Sequence, residues 1–164
     1  MLYYKNNPAV SANGWCWSTN CPVRRWELIN KLIIEMKIET LRREYKNRQA
    51  WGLLASIDLA GCDHKMIQSP KAIKLFIKKL VPLLKMKAYG PTIIEKFAED
   101  SLEGYSAFQF IETSSITIHF DDKQGDRAFI DIFSCCWFDP YKAENFSKKY
   151  FKAKKSKLKN LLRY

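Results

Sequence analysis

The side chains best suited to chemistry gather between Ser106 and Cys136. The run Glu112-Thr113-Ser114-Ser115-Ile116-Thr117-Ile118-His119 sets small hydroxyl groups at the mouth of an alternating segment that carries one of two histidines. A second alternating segment follows a polar turn and ends at Ser134-Cys135-Cys136. A hydroxyl can attack a carbonyl, an imidazole can carry a proton, and a thiol can serve as nucleophile or acid. Pairing the two segments as a hairpin brings His119 towards the start of the second and leaves Cys135 nearer Thr113 and Ser114. Taken singly, each group has a plainer explanation. A histidine on a half-buried strand is usually hydrogen-bonded packing, and free cysteines at a strand end are usually small hydrophobes.

The elements that must position these groups follow from periodicity. Residues 1–22 are irregular, punctuated by Pro8, Asn13-Gly14 and Pro22. From Val23 to about Asn47, Trp26, Ile29, Ile33, Met36 and Leu41 fall near a 3.6-residue period and predict a long amphipathic helix. That helix belongs to an N-terminal extension over residues 1–50, and its apolar stripe is expected to pack on the core or across a dimer. Trp51–Leu59 has strand length, and Ser69-Pro70 opens a helix to about residue 85. Gly90-Pro91 is expected to break the chain before a strand over 92–97, followed by a polar loop over 99–104. Residues 106–111, 115–120 and 128–134 alternate as strands, Asp139-Pro140 opens a second helix, and a last strand lies near 156–162. Residues 51–164 therefore read as an α+β two-layer sandwich, a mostly antiparallel sheet with both helices on one face.

Composition narrows the function classes. A chain of 164 residues, 47% hydrophobic, can bury a single core and is not disordered. No apolar run approaches the ~18–20 residues needed to span a bilayer, and the N-terminus lacks the pattern of a signal peptide. The expectation is a cytoplasmic protein without membrane contact. The net charge is +11, and Lys142–Tyr164 carries nine Lys/Arg against Glu144 alone. Such a tail suits an anionic partner, but a solvated helix face and a lysine-protected strand edge explain it more simply, so nucleic acid is not expected. Five cysteines, an odd number, argue against a disulfide framework. Cys16 and Cys21 lack a second pair at zinc spacing, and His64 and His119 are too far apart in sequence, so no metal is expected.

From about Trp51 to Lys159, several ordered motifs resemble the prokaryotic S-adenosylmethionine decarboxylase family. Ser56-Ile57-Asp58-Leu59-Ala60-Gly61-Cys62-Asp63 looks like its opening strand and Cys-Asp turn, and Tyr105-Ser106-Ala107 is similar to its Val-Ser-Gly. Ser114 through His119 resembles Ser-His-Ile-Ser-Ile-His, and Ile130 through Cys135 resembles Val-Asp-Val-Phe-Thr-Cys. Asp139-Pro140-Tyr141-Lys142-Ala143 resembles the Asp-Pro-Trp-Lys-Ala that opens the family's last helix. This chain departs from the pattern at three places. Thr113 stands for a glutamate, Ser115 for a histidine, and Phe120-Asp121-Asp122-Lys123 for Thr-Trp-Pro-Glu, with one extra residue.

The resemblance implies an enzyme that makes its own pyruvoyl cofactor, without metal. In the family a serine hydroxyl attacks the preceding carbonyl, and β-elimination of the ester splits the chain and leaves an N-terminal pyruvoyl group. That group forms a Schiff base with the substrate amine and takes up the electrons released with CO₂. Carried over, Ser114 is the pyruvoyl precursor, Ser106 and His119 assist processing, and Cys135 is the proton donor. Phe97 stands for an aromatic that stacks on the substrate, and Glu112, Asp121 and Asp122 are the candidate substrate-binding acids. The chemistry asks only for the carbonyl of residue 113, so Thr113 is compatible with cleavage. The implied function is decarboxylation of S-adenosylmethionine or a related amino acid in polyamine (spermidine) biosynthesis. The alternative is a non-processing relative that binds a ligand or partner. A homodimer with facing sheets is expected, because Phe108, Phe110, Ile116, Ile118, Phe129 and Phe133 offer more apolar surface than one helix layer needs.

Overall fold

Two side-chain caps mark where the main helices begin. Ser69 Oγ accepts the Ala72 amide at 3.2 Å ahead of Pro70, and Asp139 Oδ1 accepts the Tyr141 and Lys142 amides at 3.0 Å ahead of Pro140. The structure, a computed structural model, describes residues 22–164, with side chains from residue 25. The irregular N-terminal stretch with Cys16 and Cys21 lies outside the described residues. The elements are α1 (Pro22–Asn47), β1 (Gly52–Ala60), α2 (His64–Ile67), α3 (Pro70–Leu83), β2 (Ala88–Phe97), β3 (Gly104–Ile111), β4 (Ser114–Asp121), β5 (Arg127–Ser134), α4 (Pro140–Tyr150) and β6 (Lys155–Arg163).

The six strands form one sheet in the order β2-β3-β4-β5-β1-β6, with every neighbouring pair antiparallel. Strand alternation sorts the side chains to two faces. Leu53, Ala55, Ile57 and Leu59 of β1, Ile116, Ile118 and Phe120 of β4, and Ala128, Ile130 and Ile132 of β5 are buried beneath the helices. Phe76 of α3 packs against Phe146, Tyr150 and Phe151 with ring centroids 4.7–5.6 Å apart, and Phe151 reaches Phe120 at 5.3 Å. Both helices therefore share one sheet face, as the α+β reading requires. Phe76 is fully buried at the centre of this aromatic cluster. Phe76→Ala is expected to cost about 3–5 kcal/mol, read as a lower midpoint in urea with an unchanged slope.

Two local features differ from the sequence expectation. Gly90-Pro91 does not precede β2 but lies inside it, where the pairing register with β3 shifts between Tyr89 and Ile93. An edge strand tolerates proline because its outward N–H needs no partner, and Gly90, at φ +68°, takes the bulge. The loop after β2 contains a single 3₁₀ turn, Asp100–Leu102. Along α1, Trp26, Ile29, Ile33 and Met36 are exposed. The compact unit that holds the sheet begins at Leu41, so the last turns of α1 belong with it: Leu41 and Tyr45 pack against its core.

Within the described unit from Leu41 onward, no element covers the sheet face opposite the helices. Of the residues expected to supply extra apolar surface, Ile116 and Ile118 face the helices, whereas Phe108, Phe110, Phe129 and Phe133 alternate onto the open face. Among the described residues no helix is long and apolar enough to cross a membrane.

Candidate active site

A two-residue connection, Glu112-Thr113, joins β3 to β4, with Ile111 opposite Ser114. Among the described residues, Ser114 has φ of 150°, whereas the other non-glycine residues with positive φ lie between 49° and 72°. Those six occupy the ordinary left-handed region. Ser114 alone sits where only glycine is comfortable, a conformation costing about 1–3 kcal/mol that must be held by its surroundings.

Those surroundings are specific. The Thr113 carbonyl accepts the backbone N–H of Cys135 at 2.9 Å. The buried Ser134 hydroxyl donates to Thr113 Oγ1 at 2.9 Å and accepts the Cys136 N–H at 3.0 Å. From the end of α1, the Tyr45 hydroxyl donates to the Cys135 carbonyl at 2.9 Å, and its ring meets Trp137 edge-on at 5.6 Å. Burial, and then the neighbouring Cys136 and Cys135 thiols, push the Tyr45 phenol above its ordinary pKa, so it remains a donor at neutral pH. The carbonyl before Ser114 thus faces a fixed N–H, the arrangement that stabilises negative charge growing on an attacked carbonyl oxygen.

A second group of candidates lies elsewhere. Ser106 pairs with His119 across β3 and β4, and its hydroxyl shares a hydrogen bond with His119 Nδ1 at 2.6 Å. The Phe97 ring centroid is 6.3 Å from the imidazole. Together with Glu95, Phe108 and Asp131 they line a concavity of about 350 Å³ on the open sheet face. His119 is five residues along β4 from Ser114, roughly 17 Å at ~3.3–3.4 Å per residue. Of the two groups assigned to assist Ser114, Cys135 alone lies beside it, because an extended strand carries its two ends apart, as the hairpin pairing implied.

The candidate acids are committed elsewhere. Glu112 pairs with Lys87 Nζ at 2.6 Å. Asp121 accepts the Lys123 and Gln124 amides at 3.0 and 2.8 Å and Arg127 Nε at 2.7 Å, which closes the β4–β5 turn. Burial alone would raise the pKa of Asp121, but the Gln124 amide and Arg127 together bring it below the ordinary carboxylate value. Asp122 accepts from Gln68. None of the three lines the concavity. Its acids are instead Glu95 and Asp131, which form no ion pair among the described residues, and no lysine or arginine lines it.

Residues 54–164 match the sequence profile of S-adenosylmethionine decarboxylase. The chain belongs to that family. Solved structures match as well, among them the adenosylmethionine decarboxylase from Aquifex aeolicus, with a TM-score of 0.60 and 19% identity over 70% of this chain and 91% of that one. At that identity the likeness is one of fold. No curated protein matches the chain by sequence. The family match covers both groups of candidates, the Thr113–Ser114 turn with Cys135 and the Ser106–His119 pair with Phe97. It does not reach Tyr45, which acts on the turn from outside the matched segment. Sequence reading also passed over Ser134, Glu95 and Asp131. Asp131 carried a signal, since it alternates with Ile130 and Ile132 and so had to face away from the core. Tyr45 carried none, being one more residue of a helix ninety positions from its partner.

Proposed function

We propose that the chain is a self-processing, pyruvoyl-dependent decarboxylase of polyamine biosynthesis, acting on S-adenosylmethionine or a related cationic amino acid. The observation that carries this reading is Ser114 at φ 150° beside a Thr113 carbonyl already bonded to the Cys135 amide. The Ser114 hydroxyl attacks the Thr113 carbonyl carbon, and the charge that grows on its oxygen meets that amide. The peptide bond to the Ser114 nitrogen breaks and an ester forms. Loss of the Ser114 α-proton then expels Thr113 as a free carboxylate, and hydrolysis with release of ammonia completes a pyruvoyl end. Once formed, that group supplies the electron sink that CO₂ loss requires and ordinary side chains lack. Cys135, half-buried and held through its backbone by Thr113 and Tyr45, returns a proton to the product carbon.

The distance between Ser114 and His119 supports a homodimer in which the His119–Ser106 pair of one copy serves Ser114 of the other. Phe108, Phe110, Phe129 and Phe133 make the open sheet face a suitable contact, since an uncovered apolar face favours association. Within the concavity, Glu95 and Asp131 favour a cationic substrate, and the aromatic wall adds to that preference. Glu95→Gln and Asp131→Asn are each expected to raise KM about 10–100-fold, the scale of one charge-assisted hydrogen bond, without slowing chain cleavage.

A denaturing gel with intact mass tests the central claim. The processed protein yields fragments of about 13 and 6 kDa, in proportion to residues 1–113 and 114–164, instead of one 19.3 kDa band. A single band that persists at neutral pH, with no CO₂ from S-adenosylmethionine, ornithine or arginine, would defeat the reading in favour of a non-catalytic ligand-binding module.

A further inference from the structure

Cys135 and Cys136 are adjacent free thiols in the bend after β5; the first is half-buried and the second exposed. The peptide unit that joins them is held at both ends. Its carbonyl accepts the Tyr45 hydroxyl at 2.9 Å, and its N–H donates to Ser134 Oγ at 3.0 Å. Ser134 is also the residue whose hydroxyl donates to Thr113 Oγ1. We propose that Cys135-Cys136 is a redox-modification site for low-molecular-weight disulfides, and that its oxidation removes two bonds, from Tyr45 and to Ser134, that brace Ser134 and Cys135 against Thr113. The second half rests on the processing reading above; the first does not.

The step balances without further reactants. The exposed Cys136 thiolate attacks the disulfide RSSR, forms a mixed disulfide and expels RS⁻, which takes up the proton that Cys136 released. Cys135 then displaces the second RSH, its own proton going to that leaving thiolate. The sum is two thiols plus RSSR giving one internal disulfide plus two RSH. Adjacent Cα atoms are about 3.8 Å apart, below the usual ~4.4–6.8 Å of bridged cysteines, so closing the ring must turn the peptide between them. That peptide carries the bonds to Tyr45 and Ser134, and turning it breaks them. The same strain makes the bridge easy to reduce, which suits a reversible device better than a structural staple.

The probe is oxidised glutathione. After treatment and trypsin digestion, residues 128–142 form one peptide that contains Cys135, Cys136 and no other cysteine. The expected result is a loss of two hydrogens from that peptide, reversed by dithiothreitol. No change, or glutathione retained on Cys136 without ring closure, would overturn the proposal whatever the chain's activity. The coupling is read by cell-free synthesis in oxidised or reduced glutathione. Fragments should accumulate at least tenfold more slowly in the oxidised arm, and Cys136→Ser should remove the difference between arms. An internal bridge with equal fragment rates in both arms would refute the coupling. Absence of fragments in either arm would instead count against the processing reading, and the peptide mass would still decide the dithiol site.

Discussion

Ser114→Ala is expected to leave the chain in one piece and without decarboxylase activity. The cleavage chemistry needs a hydroxyl on the residue's own Cβ to reach the preceding carbonyl, and alanine has none. The change removes one oxygen of a half-buried residue and retains Cβ, so the hairpin and its register should persist. The strain at residue 114 offers a reading that does not depend on activity. Ser114→Gly also lacks the hydroxyl, but glycine accepts φ 150° freely. It should therefore be more stable than Ser114→Ala by roughly 1 kcal/mol or more, from the ~1–3 kcal/mol that a strained residue stores. Ser115→Ala, on the neighbouring residue, should still fragment. Cleavage of Ser114→Ala at the same bond would show that a contaminating protease, not the chain, makes the cut. Equal stability of the alanine and glycine forms would remove the strain argument even if cleavage behaved as expected.

Local patterns made most of the fold legible. Ser69-Pro70 and Asp139-Pro140 announced their helices because a capping oxygen followed by proline satisfies the first turn whatever surrounds it. The alternating runs announced their faces because a one-residue slip would expose every buried side chain. Gly90-Pro91 misled because the cost of proline in a strand depends on whether that strand lies at an edge, and edge position is settled only when the sheet assembles. The site divides along the same line. Ser114 and Cys135 could be placed together because a hairpin pairs the start of one strand with the end of the next. The same pairing put His119 at the far end of the hairpin, since five residues of strand separate more than five residues of turn. Asp121 and Asp122 look alike in sequence to any substrate-binding acid. Only the structure shows that both Asp121 oxygens are taken, by the backbone amides of the turn and Arg127, and that Asp122 holds Gln68 through Oδ2 while its buried Oδ1 has no partner among the described residues.

The gap of roughly 17 Å between His119 and Ser114 leads to the most discriminating expectation. Ser114→Ala and His119→Ala should each fail to fragment normally when produced alone, the first completely and the second by a large reduction in rate. If the site is shared between two copies, mixing during expression repairs it. A mixed dimer holds one site with the hydroxyl of the His119→Ala chain and the imidazole of the Ser114→Ala chain, both intact. With random pairing, about half of the His119→Ala chains sit in such mixed dimers and should be cleaved. The Ser114→Ala chains stay whole in every pairing, so a size tag on one chain assigns the fragments. Charge repulsion should not prevent this pairing, because in the proposed dimer the four phenylalanines of the open face would carry the contact, and the basic β6 lies at one sheet edge. Light scattering should give twice the chain mass at micromolar concentration. A monomer, or a mixture in which no His119→Ala chain is cleaved, would place any processing within a single copy. His119 would then have to act across the length of its own strand, which its hydrogen bond to Ser106 and the extended geometry of β4 do not permit.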